Sequence, residues 1–232
     1  NKIKVISNAG GVNLDACKKA LSNKAKKEDI NLKIITVEGD DLSGIQKDLQ
    51  KMSIKEIDSG KSLPENLLSI NAYLGAPGIK RALDQGADIV ITGRCVDSAL
   101  ALGPLMYEFN WKENEYDLLA SGSLAGHIIE CGAQSTGGNF TDWEIIDNFE
   151  DIGFPIVEVE ENGEFIVTKP EGTGGIVNFG TVAEQLLYEI GDPGAYILPD
   201  VICDFTNVNI NNLGNDVVHV SGAKGYPAST SY

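Results

Sequence analysis

The segment ADIVITG, residues Ala87–Gly93, decides the fold class because it has the composition of a strand buried on both faces. Its four β-branched residues follow one another without the polar alternation of a half-exposed strand. Gly86 ends the preceding segment and Arg94 follows the strand. The pattern predicts a strand within a parallel sheet, and ligands bind such sheets beyond the carboxyl ends of their strands.

Strand and helix patterns alternate on both sides of this segment. Lys2–Ser7 and Asn31–Gly39 are predicted strands. The predicted helices are one capped by Asn13, a short one from Asp41 or Ser43 to Leu49, one from Pro77 towards Gln85, and one near Val96–Phe109. Repeated strand–helix units favour a parallel sheet with right-handed crossovers.

The second half has a different pattern. It contains a predicted helix at Tyr116–Cys131, a hairpin at Phe154–Pro170 around Asn162-Gly163, a capping box from Thr181 to Glu184 that begins a helix to Ile190, and strands at Asp200–Val208 and Val217–Gly222. We predict an α/β protein with a mostly parallel sheet and flanking helices in the first half, and an appended α+β portion with β-hairpins in the second. Residues 1–112 form the Rossmann-like portion and residues 113–232 the α+β portion with glycine-rich loops, packed as one continuous unit.

Composition excludes several classes of protein. The formal net charge of −16 over 232 residues argues against a nucleic-acid partner, and no apolar run is long enough to span a membrane. The four cysteines form no CxxC pair, so we expect reduced thiols and a cytoplasmic protein. A strand pattern begins almost at the first residue, without an initiator Met, and we expect a piece of a longer protein whose site residues are partly missing.

The segment HIIECGAQSTGG, His127–Gly138, carries the densest chemistry. On a helical wheel His127, Glu130 and Cys131 lie opposite an apolar stripe, on a face that lacks the charges of a solvated helix, so we expect the helix to be covered on both sides. Either His127 is a general base that Glu130 orients, with Cys131 as a nucleophile one turn away, or His127 is a buried histidine satisfied by hydrogen bonds and Cys131 is an inert core cysteine. No metal is predicted, because these three residues lack a distant fourth ligand.

Two glycine turns allow two interpretations each. Gly137-Gly138 either ends a helix or offers free N–H groups that cradle an oxyanion with Gln134, Thr136 and Asn139. The GTGG turn at Gly172–Gly175 is similar, with Lys169 as a nearby cation. The Walker pattern and GxGxxG are both absent, so no nucleotide cofactor is predicted.

The strand ends supply the remaining candidates. Arg94 either grips a carboxylate or phosphate, with Asp97 fixing it, or forms a structural salt bridge or helix cap. The predicted substrate-binding residues are Asn8, Gly10, Gly11, Arg94, Asp97, Gln134, Thr136, Gly137, Gly138, Asn139, Lys169, Gly174 and Gly175.

Seven segments in order, NAGGVN, VEGDDL, NAYLGA, GADIVITGR, GHIIECGAQSTGGNF, TKPEGTGG and EQLLYEIGDP, resemble the AtuA family of acyclic terpene utilisation proteins. The resemblance implies a role in bacterial catabolism of acyclic terpenes such as citronellol and geraniol, which proceeds through CoA thioesters. It also implies a family domain that extends beyond this chain at both ends. It carries no catalytic set, so the candidate residues depend on chemistry and position. Cys95, where a small aliphatic residue is expected, departs from the family pattern, and we expect it to face the core.

Two functional hypotheses follow. The first is an enzyme that acts on an acyl-CoA or carboxylate by proton transfer, as in hydration or carbon–carbon lysis, with His127 or Glu130 as acid/base, Arg94 and Lys169 holding the anion, and the glycine turns binding the carbonyl oxygen. CoA enters only as part of the substrate. The second is a non-catalytic binding or oligomer-forming subunit of a terpene-degradation system. We expect a homo-oligomer with a small-molecule substrate and no nucleic-acid or membrane partner.

Overall fold

The computed structural model describes residues 3–228, which divide into two compact units. The first unit comprises the chain up to Leu74 together with Arg81–Cys95, and the second comprises Gly75–Lys80 together with the chain from Val96 onward. The boundary at residues 112 and 113 stays a prediction from the sequence.

The first unit contains a three-stranded parallel sheet in the order β1-β3-β2. The strands are β1 (Val5–Ser7), β2 (Ile34–Val37) and β3 (Ile89–Thr92). Strand β3 lies in the middle, with Val90 paired to Ile6 on one side and to Ile35 on the other. Val90 and Ile91 are buried. The predicted buried strand and the predicted parallel sheet are therefore confirmed.

The helices in the first half of the chain begin and end at local signals in the sequence. They are α1 (Leu14–Lys27), a 3-10 turn at Ser43–Ile45 that leads into α2 (Gln46–Lys51), and α3 (Pro77–Asp84). Asn13 caps α1, because its side-chain oxygen accepts a hydrogen bond from the Ala16 N–H at 2.9 Å. Helix α3 begins at Pro77 as predicted, and Gly86 follows it with φ +83°.

The second unit is built around the helices α4 (Ala99–Glu108), α5 (Tyr116–Glu130) and α6 (Phe179–Leu187). In α5 every residue from Gly122 to Ile128 is buried, so the prediction that this helix is covered on both sides is confirmed. Glycine permits the close approach of α4. A Cβ at position 126 would lie 2.6 Å from the carbonyl oxygen of Ser98, which caps α4, and one at position 122 would lie 2.7 Å from Leu102 Cδ1.

Two antiparallel sheets complete the second unit. One has four strands in the order β4-β5-β9-β8, and the other has three in the order β10-β7-β6. The strands are β4 (Ile156–Val159), β5 (Phe165–Thr168), β6 (Tyr196–Ile197), β7 (Ile202–Asp204), β8 (Asn209–Gly214), β9 (Val217–Ser221) and β10 (Lys224–Tyr226). The hairpin predicted around Asn162-Gly163 joins β4 to β5. The indole N–H of Trp111 donates to the Glu161 carbonyl in its turn at 3.1 Å.

Two sequence predictions in this unit need correction. Thr181 is not the residue that begins α6. Asn178 caps the helix, its side chain accepts from the Thr181 N–H at 3.0 Å, and the Thr181 hydroxyl accepts from the Asn178 N–H in return. The helix also ends at Leu187 rather than Ile190, because Tyr188 has extended backbone with ψ 125° and Glu189 follows it with a left-handed φ of +58°.

The sequence pattern does not indicate strand β8, because three of its six residues are asparagines and Ile210 is its one β-branched residue. Between residues 3 and 228 no helix combines the length and the apolar character needed to cross a bilayer.

Candidate functional site

The central feature of the second unit is a hydrogen bond of 2.7 Å between His127 Nδ1 and Glu130 Oε1 at the end of α5. The spacing of three residues places both side chains on one face of the helix. A carboxylate only accepts, so Nδ1 is the donor to Glu130, and in the neutral imidazole this tautomer places the lone pair on Nε2. His127 is 2% exposed, and in the described part of the chain its Nε2 has no hydrogen-bond partner.

Gln185 holds His127 from the neighbouring helix α6. Its side chain is fully buried and its Nε2 donates to the His127 carbonyl oxygen at 2.7 Å. Gln185 was not predicted as a site residue, because the contact spans 58 residues and follows from the packing of α6 on α5. The one local sign of its role in the sequence is that the Gln185 amide lies on the apolar face of α6.

Cys131 ends α5 next to this pair. Burial raises the pKa of its thiol, repulsion by the carboxylates of Glu130 and Glu189 adds to the shift, and a hydrogen bond from Gln185 opposes it. A thiol whose pKa is raised stays protonated near neutral pH and is a poor nucleophile. The structure therefore favours the interpretation of an inert cysteine over the nucleophile.

Tyr196 on β6 is a neighbour of His127 that was not predicted from the sequence. The centroids of the two rings lie 6.2 Å apart with an angle of 52° between their planes. Burial raises the pKa of the Tyr196 phenol, and the charge of Glu130 raises it further. Because Tyr196 lies in a two-residue strand, no alternating pattern in the sequence marked it.

Four buried side-chain atoms in this region have no hydrogen-bond partner among residues 3–228. They are Ser123 Oγ, His127 Nε2, Ser135 Oγ and Gln185 Oε1. Most buried polar atoms in proteins are hydrogen-bonded, so such atoms mark places where a water molecule or a ligand supplies the partner. Ser123 and His127 are one helical turn apart on α5, which contacts α6.

The glycine turns do not offer the free donors that the sequence suggested. The Gly137 N–H donates to the Gln134 carbonyl at 3.2 Å and the Gly138 N–H to the Ala133 carbonyl at 2.8 Å. Gly137 has φ +107° and ends the 3-10 helix Gly132–Thr136. The helix-end alternative therefore describes this turn, and the N–H groups of its two glycines are already engaged. Substrate binding by the other residues of the turn stays a prediction.

The N–H groups of the second turn, Gly172–Gly175, also donate to backbone carbonyls. The Gly174 N–H donates to the Asp151 carbonyl at 2.8 Å and the Gly175 N–H to the Asp147 carbonyl at 3.0 Å. Its carbonyl partners belong to the segment between the 3-10 helix and β4, so the turn closes this segment onto the sheet. Gly174 and Gly175 have a structural role here.

The polar side chains beside the turns are also engaged or lie near solvent. The Thr136 hydroxyl donates to the Gly153 carbonyl at 2.6 Å. Lys169 is buried, donates to the Thr173 carbonyl at 2.7 Å and pairs with Asp216 at 3.4 Å. Gln134 is half-buried and Asn139 is exposed. Lys169 therefore joins two turns, and it is not a free cation for a substrate.

The first unit has a separate cleft of about 770 Å³ beyond the carboxyl ends of β1 and β2. Its walls include Gly10, Gly11, Asn13, Glu38, Asp40 and Asp41. The N–H groups of the two glycines donate to the carbonyls of Thr92 and Asn8, at 3.1 and 3.3 Å. The carboxylates make this cleft unfavourable for an anionic group.

The loop after β3 is fixed by Asp40, which is 7% exposed. Its carboxylate accepts from the Arg94 N–H at 2.7 Å and from the Asn71 amide at 3.1 Å. The Arg94 guanidinium lies 4.3 Å from the centre of the Tyr73 ring. Cys95 is fully buried, so the expectation that it faces the core is confirmed.

Of the predicted residues, the structure brings His127 and Glu130 into direct contact. Asp97 belongs to the same unit, and its negative charge contributes to raising the pKa of Cys131 and of Tyr196. The candidates Asn8, Gly10, Gly11 and Arg94 lie in the first unit. Across the part of the chain described, no three His, Cys, Asp or Glu side chains are grouped to hold a metal ion.

Fold and site together define a mixed α/β protein with a parallel sheet and a buried, carboxylate-bound imidazole. The chain belongs to the AtuA family, the acyclic terpene utilisation family. The family model matches residues 1–232. The resemblance seen in the sequence is thus confirmed, and the family implies involvement in acyclic terpene utilisation. Comparison with curated proteins and with solved structures gave no significant match.

Proposed function

We propose that this protein is an enzyme of acyclic terpene utilisation that moves a proton on an acyl-CoA substrate, with His127 as the base. Two observations carry this proposal: His127 Nδ1 donates a hydrogen bond of 2.7 Å to Glu130 Oε1, and Nε2 of the same ring has no partner among the described residues. A carboxylate that orients one ring nitrogen and stabilises the imidazolium is the arrangement of a general base.

The chemical step begins at the carbon next to the thioester carbonyl. His127 Nε2 takes a proton from this carbon, and the Glu130 carboxylate stabilises the positive charge that forms on the ring. Gln185 positions His127 by holding its carbonyl oxygen at the end of α5. Loss of this proton is the first step in the elimination of water, and its addition to the same carbon is the last step of the reverse reaction, a hydration. In a carbon–carbon lysis the same carbon receives a proton from the imidazolium after the bond has broken.

The charges around His127 favour a thioester over a free carboxylate. Glu130, Glu189 and Asp97 each contribute to raising the pKa of Cys131, after burial, so the local field is negative. A carboxylate next to the reacting carbon would be repelled, whereas a thioester is uncharged there. The phosphates of CoA would bind outside this field.

A non-catalytic, assembly-forming subunit is the second candidate function. Large aromatic side chains on the second unit are exposed, among them Trp143 at 60%, Phe154 at 67% and Phe179 at 56%. Exposed aromatic side chains of this size are common at protein–protein interfaces. Under this alternative the segment around Trp143 packs against a partner, and the protein has no activity of its own.

The test is deuterium exchange in heavy water at the carbon next to the carbonyl of saturated and branched acyl-CoA thioesters, followed by mass spectrometry. Exchange requires only the proposed proton transfer and no knowledge of the full reaction. We expect His127→Gln to lower the exchange rate by about 10²- to 10⁴-fold, the range for loss of a general base. Glu130→Gln should lower it less, because the base itself remains.

The matched control is the second histidine of the chain. His219 also pairs with a glutamate, since its Nε2 lies 3.3 Å from Glu164 Oε2, but it lies on the sheet strand β9. His219→Gln should exchange at the wild-type rate. Wild-type exchange in His127→Gln would refute the proposal, and concentration-dependent assembly without exchange in the wild type would favour the subunit.

A further inference from the structure

We propose that Tyr196 is a second catalytic residue, which donates its phenolic hydrogen to the carbonyl oxygen of the substrate while His127 takes the proton from the adjacent carbon. This inference rests on the proposed function and deepens it, because it assigns the substrate class. The substrate is a thioester or ketone that can form an enol, and a free acid is excluded.

The geometry places the two groups beside one another. The ring centroids of Tyr196 and His127 are 6.2 Å apart with 52° between the ring planes, so the two side chains are direct neighbours. The two rings approach from different elements, because His127 is on α5 and Tyr196 is on β6.

The Tyr196 side chain is supported by two neighbours. Its residue pairs with Cys203 across β6 and β7, and the Phe205 ring lies 6.0 Å from it, on the chain just after β7. A donor held by a sheet and by a neighbouring ring keeps its orientation when the substrate arrives, which is the condition for stabilising an oxyanion.

The hydroxyl is suited to donate. The side chain is half-buried, and within residues 3–228 no hydrogen bond engages its oxygen. Tyrosine hydroxyls that are partly buried usually find a partner. Burial, and then the negative charge of Glu130, raise the pKa of the phenol, so it keeps its proton near neutral pH and acts as a donor.

The proposed step balances without a further reactant. The C–H bond next to the carbonyl breaks, its proton goes to His127 Nε2, and its electron pair forms the carbon–carbon double bond of the enol. The carbonyl π pair moves to oxygen, which receives the Tyr196 hydrogen. Reversal returns a solvent-derived proton to carbon and the hydrogen to the phenol. A free carboxylate would become a dianion beside Glu130, which explains the substrate class.

The experiment uses isovaleryl-CoA labelled with ¹³C at the carbonyl and two measurements on each variant, the deuterium exchange rate and the infrared carbonyl stretch of the bound probe. In Tyr196→Phe we expect the exchange rate to fall by about 10²-fold, the typical effect of removing one oxyanion donor. The carbonyl stretch, shifted to lower frequency in the wild type, should return towards its value in water.

The two readouts separate the proposals. His127→Gln should lose exchange but keep the lowered carbonyl frequency, because Tyr196 remains. The control Tyr226→Phe removes an exposed phenol and should match the wild type in both measurements. If Tyr196→Phe exchanges at the wild-type rate with an unchanged carbonyl frequency, the role of Tyr196 is overturned while that of His127 stands. If His127→Gln keeps its exchange, the proposed function itself fails.

Discussion

Gln185 Nε2 donates a hydrogen bond of 2.7 Å to the carbonyl oxygen of His127. In a continuing helix that carbonyl would accept from the N–H of Cys131, but the Cys131 N–H donates to Ile129 instead. Gln185 therefore supplies the donor that the end of α5 lacks, and it does so at the residue whose side chain we propose as the base.

Replacing Gln185 by leucine should destabilise the second unit, because the buried His127 carbonyl loses its partner at nearly constant side-chain volume. We expect a loss of about 1–3 kcal/mol in the free energy of unfolding, measured by urea titration. Gln46→Leu is the control, since that amide also donates to a backbone carbonyl, at 3.0 Å, but on the surface. Its change should stay within about 0.5 kcal/mol, and equal losses in the two variants would contradict the buried role.

Gly126→Ala should disturb the contact between α4 and α5. The added Cβ would lie 2.6 Å from the Ser98 carbonyl oxygen and 2.7 Å from Ser98 Cα, so backbone atoms must move. We expect a loss of about 1–3 kcal/mol in thermal or urea unfolding. Gly191→Ala is the matched control, because a Cβ at that position would meet no atom within 4 Å. A loss in Gly191→Ala as large as that in Gly126→Ala would refute the steric explanation.

Asp200 should make stability fall as the pH rises. Burial raises the pKa of its carboxyl above the ordinary 3.8, so the folded chain holds this proton more tightly than the unfolded chain. The contribution of this proton to the free energy of unfolding is fully present below pH 3.8, and it is lost as the pH rises through the raised pKa. Asp200→Asn keeps an acceptor for the Ala76 N–H and removes the titration. Its free energy of unfolding should therefore improve relative to wild type between about pH 4 and 7.

Asp204→Asn should change the pH dependence of stability in the opposite direction. Hydrogen bonds from Thr206 lower the pKa of the exposed Asp204 carboxyl, so its contribution is present above pH 3.8 and is lost as the pH falls through the lowered pKa. Unfolding curves at a series of pH values should show the two differences from wild type changing in opposite directions. If the two differences from wild type changed in the same direction with pH, the raised pKa of Asp200 or the lowered pKa of Asp204 would be contradicted.

Substituting Asp216 should destabilise the protein more than substituting Lys169, its partner in the ion pair. Lys169 is 8% exposed at its side chain and Asp216 is 35% exposed. Asp216→Asn leaves a buried ammonium without its counter-charge, whereas Lys169→Met removes the buried charge at similar length. Because solvent screens Asp216, we expect Asp216→Asn to cost about 1 kcal/mol and Lys169→Met less. Urea unfolding of both variants decides this, and a larger cost for Lys169→Met would contradict it.

Local signals in the sequence predicted the elements that local physics controls. The β-branched run of Ala87–Gly93 became β3, Asn162-Gly163 became a hairpin turn, and Asn13 and Pro77 began their helices. Each of these depends on dihedral preferences or on a hydrogen bond within a few residues. The His127 and Glu130 contact was predictable for the same reason, since three residues on a helix bring side chains together.

The rest depended on tertiary contacts that no local pattern encodes. Gln185 and Tyr196 reach His127 only because α6 and β6 pack near α5. The glycine turns were ambiguous in the sequence, because a turn that ends a helix and a turn that binds an anion need the same residues. Whether their N–H groups are free is decided by distant carbonyls such as those of Asp147 and Asp151.

The buried Trp111 has a further consequence. The chain has two tryptophans, and one of them, Trp111, is 2% exposed and donates to the β4–β5 hairpin, while Trp143 is 60% exposed. Their emission therefore separates by wavelength and by access to a soluble quencher. Trp111 emission reports on the packing of the β4–β5 hairpin near α5. In a Trp143→Phe variant, fluorescence would therefore come from Trp111 alone and would report on the surroundings of the helix that carries His127.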